Sequence, residues 1–503
     1  MTTGRWNDSN LASVSLVEEA LVDRSFDRQV DMVVSAPEPD TFRVASPDGS
    51  VTFDRVESGD RYEYRILDRS GDDPLANQNT SHHNTLDDQR ACGVPDRSSN
   101  AYPHAYDQIA QFFDAPHAPE LVAQHTASHH FDENLGQHGS LGVAQARAPF
   151  IAGGAGIVGA GWQPASARMV DVAPTIAALL GLAPCPGAIG PTGRRRPEAL
   201  LRRQDGDPMV DLVVSGEARH VVVVLLDGVN ANVLYDGVRC GDAPTIAAIA
   251  DRGTVLGNGL MASWPTATLA NHTTANTGAH PGHTGILHHT WYDRGRDHTP
   301  DLLSMDEIFS TMVHLGDGVE TIHQAIHRSR PDAFTLAAYE FCDTGADFSS
   351  FAAVRAGELP ILAQPSDMVA PTMEFIETCG QYSFMSSVDE LATNQAVDIW
   401  SQAQGNPLPT FTWLSLSLTD EAGHVAGPDA AMTRAAIRDS DARIARLVAA
   451  IDRAGVLDDT AFLVFADHGM ELNDPENDAS WADALAATGV PCRDVGDGLI
   501  YLH

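Results

Sequence analysis

The sequence predicts an α/β fold built on a mostly parallel sheet, and three apolar runs carry that prediction. Residues 220–228 (HVVVVLLDG) form a near-continuous β-branched stretch, and residues 410–418 and 460–469 are two further runs of this kind. Such runs are typical of strands that are buried on both faces of a parallel sheet. A helical pattern at residues 430–455 lies between the second run and the third, as βαβ units require.

The first third of the chain shows its own strand and helix patterns. Residues 42–56 alternate around an Asp-Gly pair and predict a hairpin, and residues 62–69 predict another strand. Residues 104–124 predict a helix followed by a strand. Residues 167–182 predict a helix with Pro174 near its first turn.

A stretch rich in proline, glycine and arginine separates this region from the three apolar runs. Residues 184–208 show little periodicity, which predicts a linker between residues 1–183 and residues 209–503. An ordered surface excursion is the alternative interpretation.

Length and charge exclude several classes of function. The chain has 503 residues, a formal net charge of −37 and no lysine. A strongly acidic protein is repelled by nucleic acids and by anionic membranes, and no run approaches 18 apolar residues, so we expect neither partner. An anionic substrate would need positive charge inside its site, for which metal ions are a source.

The cysteines and the first residues predict a cytoplasmic protein. The six cysteines are scattered without a CxxC pair, which favours reduced thiols. Residues 1–21 lack the apolar segment of a secretory signal.

Each of the three apolar runs ends in side chains that can bind a metal. They are Asp227 after the first, Asp420 and His424 after the second, and Asp467 and His468 after the third. In sheets of this class the working residues follow the carboxyl ends of the strands. Carboxylates and imidazoles are zinc-type ligands, and two neighbouring metals can stabilise both oxygens of a displacement at phosphorus.

Residues 263–286, between the first and the second apolar run, supply candidate nucleophiles. A threonine hydroxyl is a poor nucleophile until its pKa is lowered, and the start of a helix can bind a phosphate oxygen. The candidate hydroxyls are those of Ser263, Thr266, Thr268, Thr273 and Thr274.

These motifs together resemble the alkaline phosphatase superfamily, and within it the nucleotide pyrophosphatase/phosphodiesterase branch. PTATLANH (265–272), HPGHTGI (280–286), DEAGHVAGP (420–428) and ADHGM (466–470) match the motifs of that branch. The resemblance covers about residues 220–503. It implies a central, mostly parallel sheet sandwiched by helices, with residues 294–409 as an inserted cap region.

The resemblance also implies a site with two zinc ions, for which Mn²⁺ or iron could substitute. Thr268 matches the nucleophile of the family, which forms a phospho-threonine intermediate. The residues implied at the first metal are Asp227, Thr268, Asp467 and His468, and those at the second are Asp420 and His424.

One ligand of the second metal is missing from its usual place. The family supplies a His-Gly pair near the end of the chain. Among the 35 residues after His468 in this sequence, the single histidine is the terminal His503, which no glycine follows. His138-Gly139, followed by an apolar strand pattern and a helix pattern, resembles that closing segment. We therefore predict a circular permutation in which residues 1–183 are the displaced end and His138 completes the site. A separate N-terminal domain of similar composition is the alternative.

A second departure from the family concerns phosphate binding. The family places an Asn 21 residues beyond the nucleophile, where this chain has His289 beside His288. A histidine can donate the same hydrogen bond to a phosphate oxygen. A surface histidine pair is the alternative.

The resemblance implies a phosphoesterase that hydrolyses phosphodiester or pyrophosphate bonds of a small anionic substrate. Three alternatives are a phosphomonoesterase, a phosphonate hydrolase and an inactive metal-binding relative. No arginine lies near Thr268 in sequence to bind the extra charge of a monoester, and the lysines of phosphonoacetate hydrolases are absent. The sulfatase nucleophile motif is missing.

Overall fold

We describe the protein from a computed structural model. The structure describes residues 8–94, 100–129, 134–304, 307–357, 365–477, 480–496 and 498–503, without the side chains of residues 8–10, 365–379 and 381.

Strands occur along the whole described chain. They are β1 (Val30–Glu38), β2 (Thr41–Ser46), β3 (Gly49–Ser58), β4 (Arg61–Gly71), β5 (Leu121–His125), β6 (Gly136–Gln137), β7 (Arg147–Ala148), β8 (Phe150–Gly154), β9 (Gly161–Gln163), β10 (Ser166–Arg168), β11 (His220–Leu226), β12 (Gly253–Leu256), β13 (Gly259–Met261), β14 (Thr335–Ala338), β15 (Phe348–Ser349), β16 (Phe411–Leu416), β17 (Thr460–Phe465), β18 (Glu471–Leu472), β19 (Cys492–Asp494) and β20 (Leu499–Leu502).

Helices also occur along the whole described chain, and in its second half they alternate with the strands. They are α1 (Asp8–Leu21), α2 (Leu86–Cys92), α3 (Ala105–Phe112), α4 (Val143–Ala146), α5 (Val172–Leu179), α6 (Ala231–Cys240), α7 (Pro244–Ala250), α8 (Thr268–Thr277), α9 (Pro281–Thr284), α10 (Ile322–Ser329), α11 (Ser350–Arg355), α12 (Pro365–Trp400, interrupted at Gly380), α13 (Leu418–Ala426), α14 (Ala431–Arg453) and α15 (Ala482–Thr488). None of the described helices combines the length and the apolar character needed to cross a membrane.

The largest sheet has eight strands and is mostly parallel, as predicted. Its strand order is β15-β14-β16-β11-β17-β8-β12-β9. The strands from β15 to β17 are parallel to one another, and β8 runs antiparallel to both of its neighbours. Every residue of β16 and β17 is buried, so both faces of the sheet are covered. The three apolar runs of the sequence are β11, β16 and β17, at the centre of this sheet.

The N-terminal region supplies strands to the same sheet. β8 lies between β17 and β12, and β9 pairs with the other edge of β12. Phe150, Ile151 and Ala152 of β8 share one apolar core with β11 and β17. The described part of residues 1–183 is therefore built into the body that carries the three apolar strands.

A second sheet brings the two ends of the described chain together. It has seven strands in the order β19-β20-β5-β1-β2-β3-β4, and all of its pairs are antiparallel. The predicted hairpin is β2–β3, and β4 is the further strand predicted after it. Val17 and Leu21 of α1 pack in one apolar cluster with Ile500 and Leu502 of β20.

Residues 184–208 are ordered and packed against the body, which is the alternative that their composition left open. Asp205 is buried, and its Oδ2 lies 2.6 Å from Nδ1 of His283 and accepts from the His280 amide at 2.8 Å. Cys185, Ala188 and Ala199 form a small apolar cluster of their own.

The prediction that residues 294–409 form one inserted cap is wrong in part. β14 of this range lies in the central sheet beside β16, with Thr335 aligned to Phe411. Trp400 of α12 is buried in the main core and donates from Nε1 to Thr412 of β16 at 3.1 Å. These parts belong to the central layer because their apolar side chains cover and extend the sheet.

Candidate metal centre

The three central strands bring the candidate ligands to one edge of the sheet. β11 lies between β16 and β17, so the residues after these strands are neighbours. Gly228 allows the closest approach, because a Cβ atom there would lie 2.1 Å from Oδ1 of Asp420. Its backbone has φ of 61°, and its amide donates to Oδ1 of Asp467 at 3.1 Å. The Asp-Gly pair thus joins the ends of all three strands.

The first group of candidate ligands consists of Asp227, Asp467 and His468, all of them buried. Nε2 of His468 lies 3.1 Å from Oδ2 of Asp467 and 3.7 Å from Oδ1 of Asp227. Potential ligand atoms of the three residues lie within 4.8 Å of one another. This spacing allows them to bind one cation together.

The second group consists of Asp420, His424 and His138, which are half-buried. Asp420 and His424 are four residues apart on α13, so they lie on one face of the helix, with Nε2 of His424 3.4 Å from Oδ2 of Asp420. His138 follows β6, and its Nε2 lies 3.1 Å from Nε2 of His424. The rings of His138 and His468 stack at 3.8 Å, which places the two groups side by side.

The two histidines of the second group are oriented by carbonyls of opposite segments. Nδ1 of His138 donates to the carbonyl of Thr266 at 2.8 Å, and Nδ1 of His424 donates to the carbonyl of Gly136 at 2.8 Å. A carbonyl only accepts, so in each neutral ring the proton is on Nδ1 and a lone pair is on Nε2. With both rings neutral, two lone pairs would face each other at 3.1 Å, a contact that a bound cation or a proton on one ring would stabilise.

The close contact between β6 and α13 depends on Gly136. A Cβ atom on Gly136 would lie 2.4 Å from the carbonyl oxygen of Gly423. The Leu135 amide donates to the carbonyl of His424 at 2.8 Å in the same contact. Residues from the N-terminal third therefore form one wall of the site.

The carboxylates also fit bound cations. Oδ1 of Asp227, Oδ1 of Asp420 and Oδ2 of Asp467 are buried without a hydrogen-bond partner among the described residues. Burial, together with the neighbouring charges of Asp467 and Asp420, raises the pKa of Asp227 well above its ordinary value. Unpaired buried carboxylates are costly, so positive charge bound among them would stabilise this arrangement.

The pKa values of the two histidines of the second group shift in opposite directions. Burial and the proximity of His468 lower the pKa of His138 well below its usual value, which favours the neutral form that a metal binds. Burial also disfavours charge on His424, but the Asp420 carboxylate more than offsets this and raises the pKa of His424 to about 9.

Thr268 is the first residue of α8 and faces the first group. Its Oγ1 lies 3.3 Å from Nε2 of His468. The cap residue Ala267 provides no side-chain hydrogen bond to the start of this ten-residue helix. The amides of the first turn are thus available to an anionic oxygen.

His289 lies near His138. The two rings are 6.5 Å apart at their centroids, and the His288 ring lies 4.9 Å from that of His289. His288 is buried, so the alternative of a surface histidine pair does not hold for it.

The structure also shows residues that the sequence analysis missed. Asp389 of α12 accepts from the amides of Ser417 and Leu418 at 2.8 and 3.2 Å, and so caps the helix that carries Asp420. His272 lies against Asp227 and Asp467. His272 belongs to the PTATLANH motif, and its position one helical turn after Thr268 is the signal that could have found it.

Comparison with known families identifies the chain. The family model for type I phosphodiesterases / nucleotide pyrophosphatases matches residues 221–498, more than half of the sequence. The chain belongs to this family. The prediction of the superfamily and of this branch is therefore confirmed.

A comparison with solved structures gives partial matches. Murine ectonucleotide pyrophosphatase / phosphodiesterase 5, as an inactive variant in complex with AMP, is 19% identical with a TM-score of 0.37. Phosphonoacetate hydrolase from Sinorhizobium meliloti 1021 in complex with phosphonoformate is 17% identical with a TM-score of 0.33. Each match covers 50% of this chain and 57% of the other, so the chain spans little more than half the length of these relatives. A search of curated proteins finds no match.

Proposed function

We propose that this phosphodiesterase-family chain is a two-metal phosphoesterase that cleaves phosphodiester or pyrophosphate bonds through a covalent intermediate on Thr268. The observation that carries the proposal is the position of the Thr268 hydroxyl, at the start of a helix and 3.3 Å from His468 of the first ligand group. The second ligand group lies beside the first, joined by the stacked rings of His138 and His468.

The residues fit two divalent cations of the zinc type. Asp227, Asp467 and His468 would hold one cation, together with the Thr268 oxygen. The second cation would be held by Asp420, His424 and His138. Mixed carboxylate and imidazole donors suit Zn²⁺, and also Mn²⁺ or Fe²⁺. When bound, the two ions would supply Lewis acidity at the attacking oxygen and at the leaving oxygen.

Two displacements at phosphorus account for the reaction. In the first, the deprotonated Thr268 oxygen forms a bond to phosphorus, and the bond to the leaving group breaks; the leaving oxygen takes up a proton. In the second, water attacks phosphorus, the bond to Thr268 breaks, and the proton lost by water returns to the threonine. Only 9% of the surface of Thr268 is exposed. This burial limits the access of water to the threonine oxygen during the first displacement.

The chain has two groups that could orient a non-bridging phosphate oxygen. The amides at the start of α8 could donate to an anionic oxygen, which the helix dipole would also favour. His289, in the position of the family's asparagine, would donate from its ring near His138.

We also propose that the chain is a circularly permuted form of this family. The support is that β8 and β9 lie in the central sheet, that β20 pairs with β5 in the sheet that contains β1, and that the Gly136 carbonyl orients His424. Residues 184–208 would then be the connection that joins the displaced end to residues 209–503.

A reordered chain tests the permutation. Residues 184–503 followed directly by residues 1–183 should fold, bind two zinc ions and hydrolyse a diester within about tenfold of the original chain, because the core contacts of both parts are retained. Circular dichroism, zinc content and hydrolysis of bis(p-nitrophenyl) phosphate measure this. A folded, reordered chain that binds one zinc ion and does not hydrolyse the diester would contradict the proposal.

The preference between diester and monoester separates the proposal from a phosphomonoesterase. We expect bis(p-nitrophenyl) phosphate to be hydrolysed at least about tenfold faster than p-nitrophenyl phosphate, since the second negative charge of a monoester costs more than about 1.4 kcal/mol in so acidic a chain. The ratio of kcat/KM values measures this preference. A ratio that favours the monoester would sink the diesterase assignment.

A reducing, cytoplasmic location is part of the same proposal. Cys92, Cys185, Cys240, Cys342 and Cys492 are free thiols. Unpaired cysteines are the rule in reducing compartments.

A further inference from the structure

His272 lies behind the first ligand group and is wholly buried. It is one helical turn after Thr268 on α8, so the two side chains share a face of the helix. Its Nδ1 lies 2.8 Å from Oε2 of Glu340, and its Nε2 lies 3.8 Å from Oδ2 of Asp227 and 3.9 Å from Oδ2 of Asp467. The ring thus stands between one carboxylate and a pair of carboxylates.

Glu340 is a fixed anchor for this ring. Its side chain is wholly buried two residues after β14, where the Ser415 hydroxyl donates to Oε2 at 2.8 Å and the Cys342 amide donates to Oε1 at 2.9 Å. The Ser415 hydroxyl in turn accepts from Nε1 of Trp413 at 3.1 Å. Because Ser415 belongs to the central strand β16, its hydrogen bond fixes Glu340 to the sheet.

The Nε2 edge of the ring is directed toward carboxylate oxygens of the first ligand group. Nε2 of His272 and Oδ2 of Asp467 are buried without hydrogen-bond partners among the described residues. Glu340 only accepts, so Nδ1 carries a proton; a lone pair on Nε2 would be repelled by the oxygens of Asp227 and Asp467, whereas an N–H there makes the ring a cation that is attracted to all three carboxylates. The separations of 3.8 and 3.9 Å exceed a hydrogen bond by less than 1 Å, a distance that a small side-chain rotation covers.

We propose that His272 is a positioning residue: held at Nδ1 by Glu340, it donates Nε2–H to the carboxylates of Asp227 and Asp467 and keeps their other oxygens directed at the first metal. This inference rests on the proposed two-metal function. Carboxylates that bind a metal are themselves commonly hydrogen-bonded. Loss of such a hydrogen-bond partner typically lowers the affinity for the metal about 10- to 100-fold.

The test measures affinity for the first metal alone. In a His138→Ala background, which disables the second group, Co²⁺ is titrated in competition with a chelating dye, with and without His272→Phe. We expect His272→Phe to weaken Co²⁺ binding about 10- to 100-fold while the ligand-field spectrum at saturation keeps its band positions, since no ligand is removed. Glu340→Gln keeps an oxygen that can accept from Nδ1–H, so it should lower the Co²⁺ affinity less than His272→Phe does.

His323→Phe is the matched control. His323 is also a wholly buried helical histidine, but it packs against the ring of Phe411 at 5.1 Å instead of against acids. This variant should leave Co²⁺ affinity unchanged. Unchanged affinity in His272→Phe, an equal loss in His323→Phe, or a shifted spectrum at saturation would each overturn the inference. The titration uses no substrate, so failure of the phosphoesterase proposal is detected separately, by the diester assay.

Discussion

Replacing Thr268 with alanine is expected to reduce hydrolysis of bis(p-nitrophenyl) phosphate by roughly four orders of magnitude while both metals stay bound. The variant removes the hydroxyl that lies 3.3 Å from His468 and leaves every imidazole and carboxylate of the two groups in place. Without this oxygen the first displacement has no nucleophile, and water would have to attack directly. Initial rates together with zinc content per chain measure the two parts of this expectation.

Two variants of the same helix control this experiment. Thr268→Ser keeps a hydroxyl at the position and should retain most of the activity. Thr273→Ala removes a buried hydroxyl that donates to the Leu269 carbonyl at 2.8 Å, so it tests the effect of a lost threonine on α8 itself. A Thr268→Ala variant with diester hydrolysis like that of the wild type would remove Thr268 from the mechanism.

Replacing His138 with alanine is expected to lower diester hydrolysis by more than about 100-fold. His138 is one of three candidate ligands of the second group, and its removal leaves only Asp420 and His424 on α13. It also removes the ring that stacks on His468 at 3.8 Å and the link from the site to the Thr266 carbonyl. The leaving oxygen would then lose the charge that stabilises it, so we expect the loss in kcat more than in KM.

The central strands and the ligand positions could be predicted because their signals are local. β11, β16 and β17 are unbroken apolar runs, and a polar ligand residue follows each of them within a few positions. The prediction of His138 came from counting ligands, since no further His-Gly pair follows the third apolar run in the sequence.

Other features depend on contacts that the sequence does not display. Glu340 lies 68 residues from His272, so the ion pair of these residues could not be seen in the motif. β14 has four residues and no β-branched run beyond Thr335, so its place in the central sheet was missed. The proline and arginine content of residues 184–208 concealed Asp205, which is buried because His283 and the His280 amide satisfy its carboxylate.

The metal content of three purified proteins tests the central claim, that a histidine of the N-terminal third completes a two-metal site. Native mass spectrometry should count two zinc ions per chain in the wild type and in His82→Ala, a control at an exposed histidine, and one zinc ion in His138→Ala. Two zinc ions in His138→Ala, bound as tightly as in the wild type, would contradict the account.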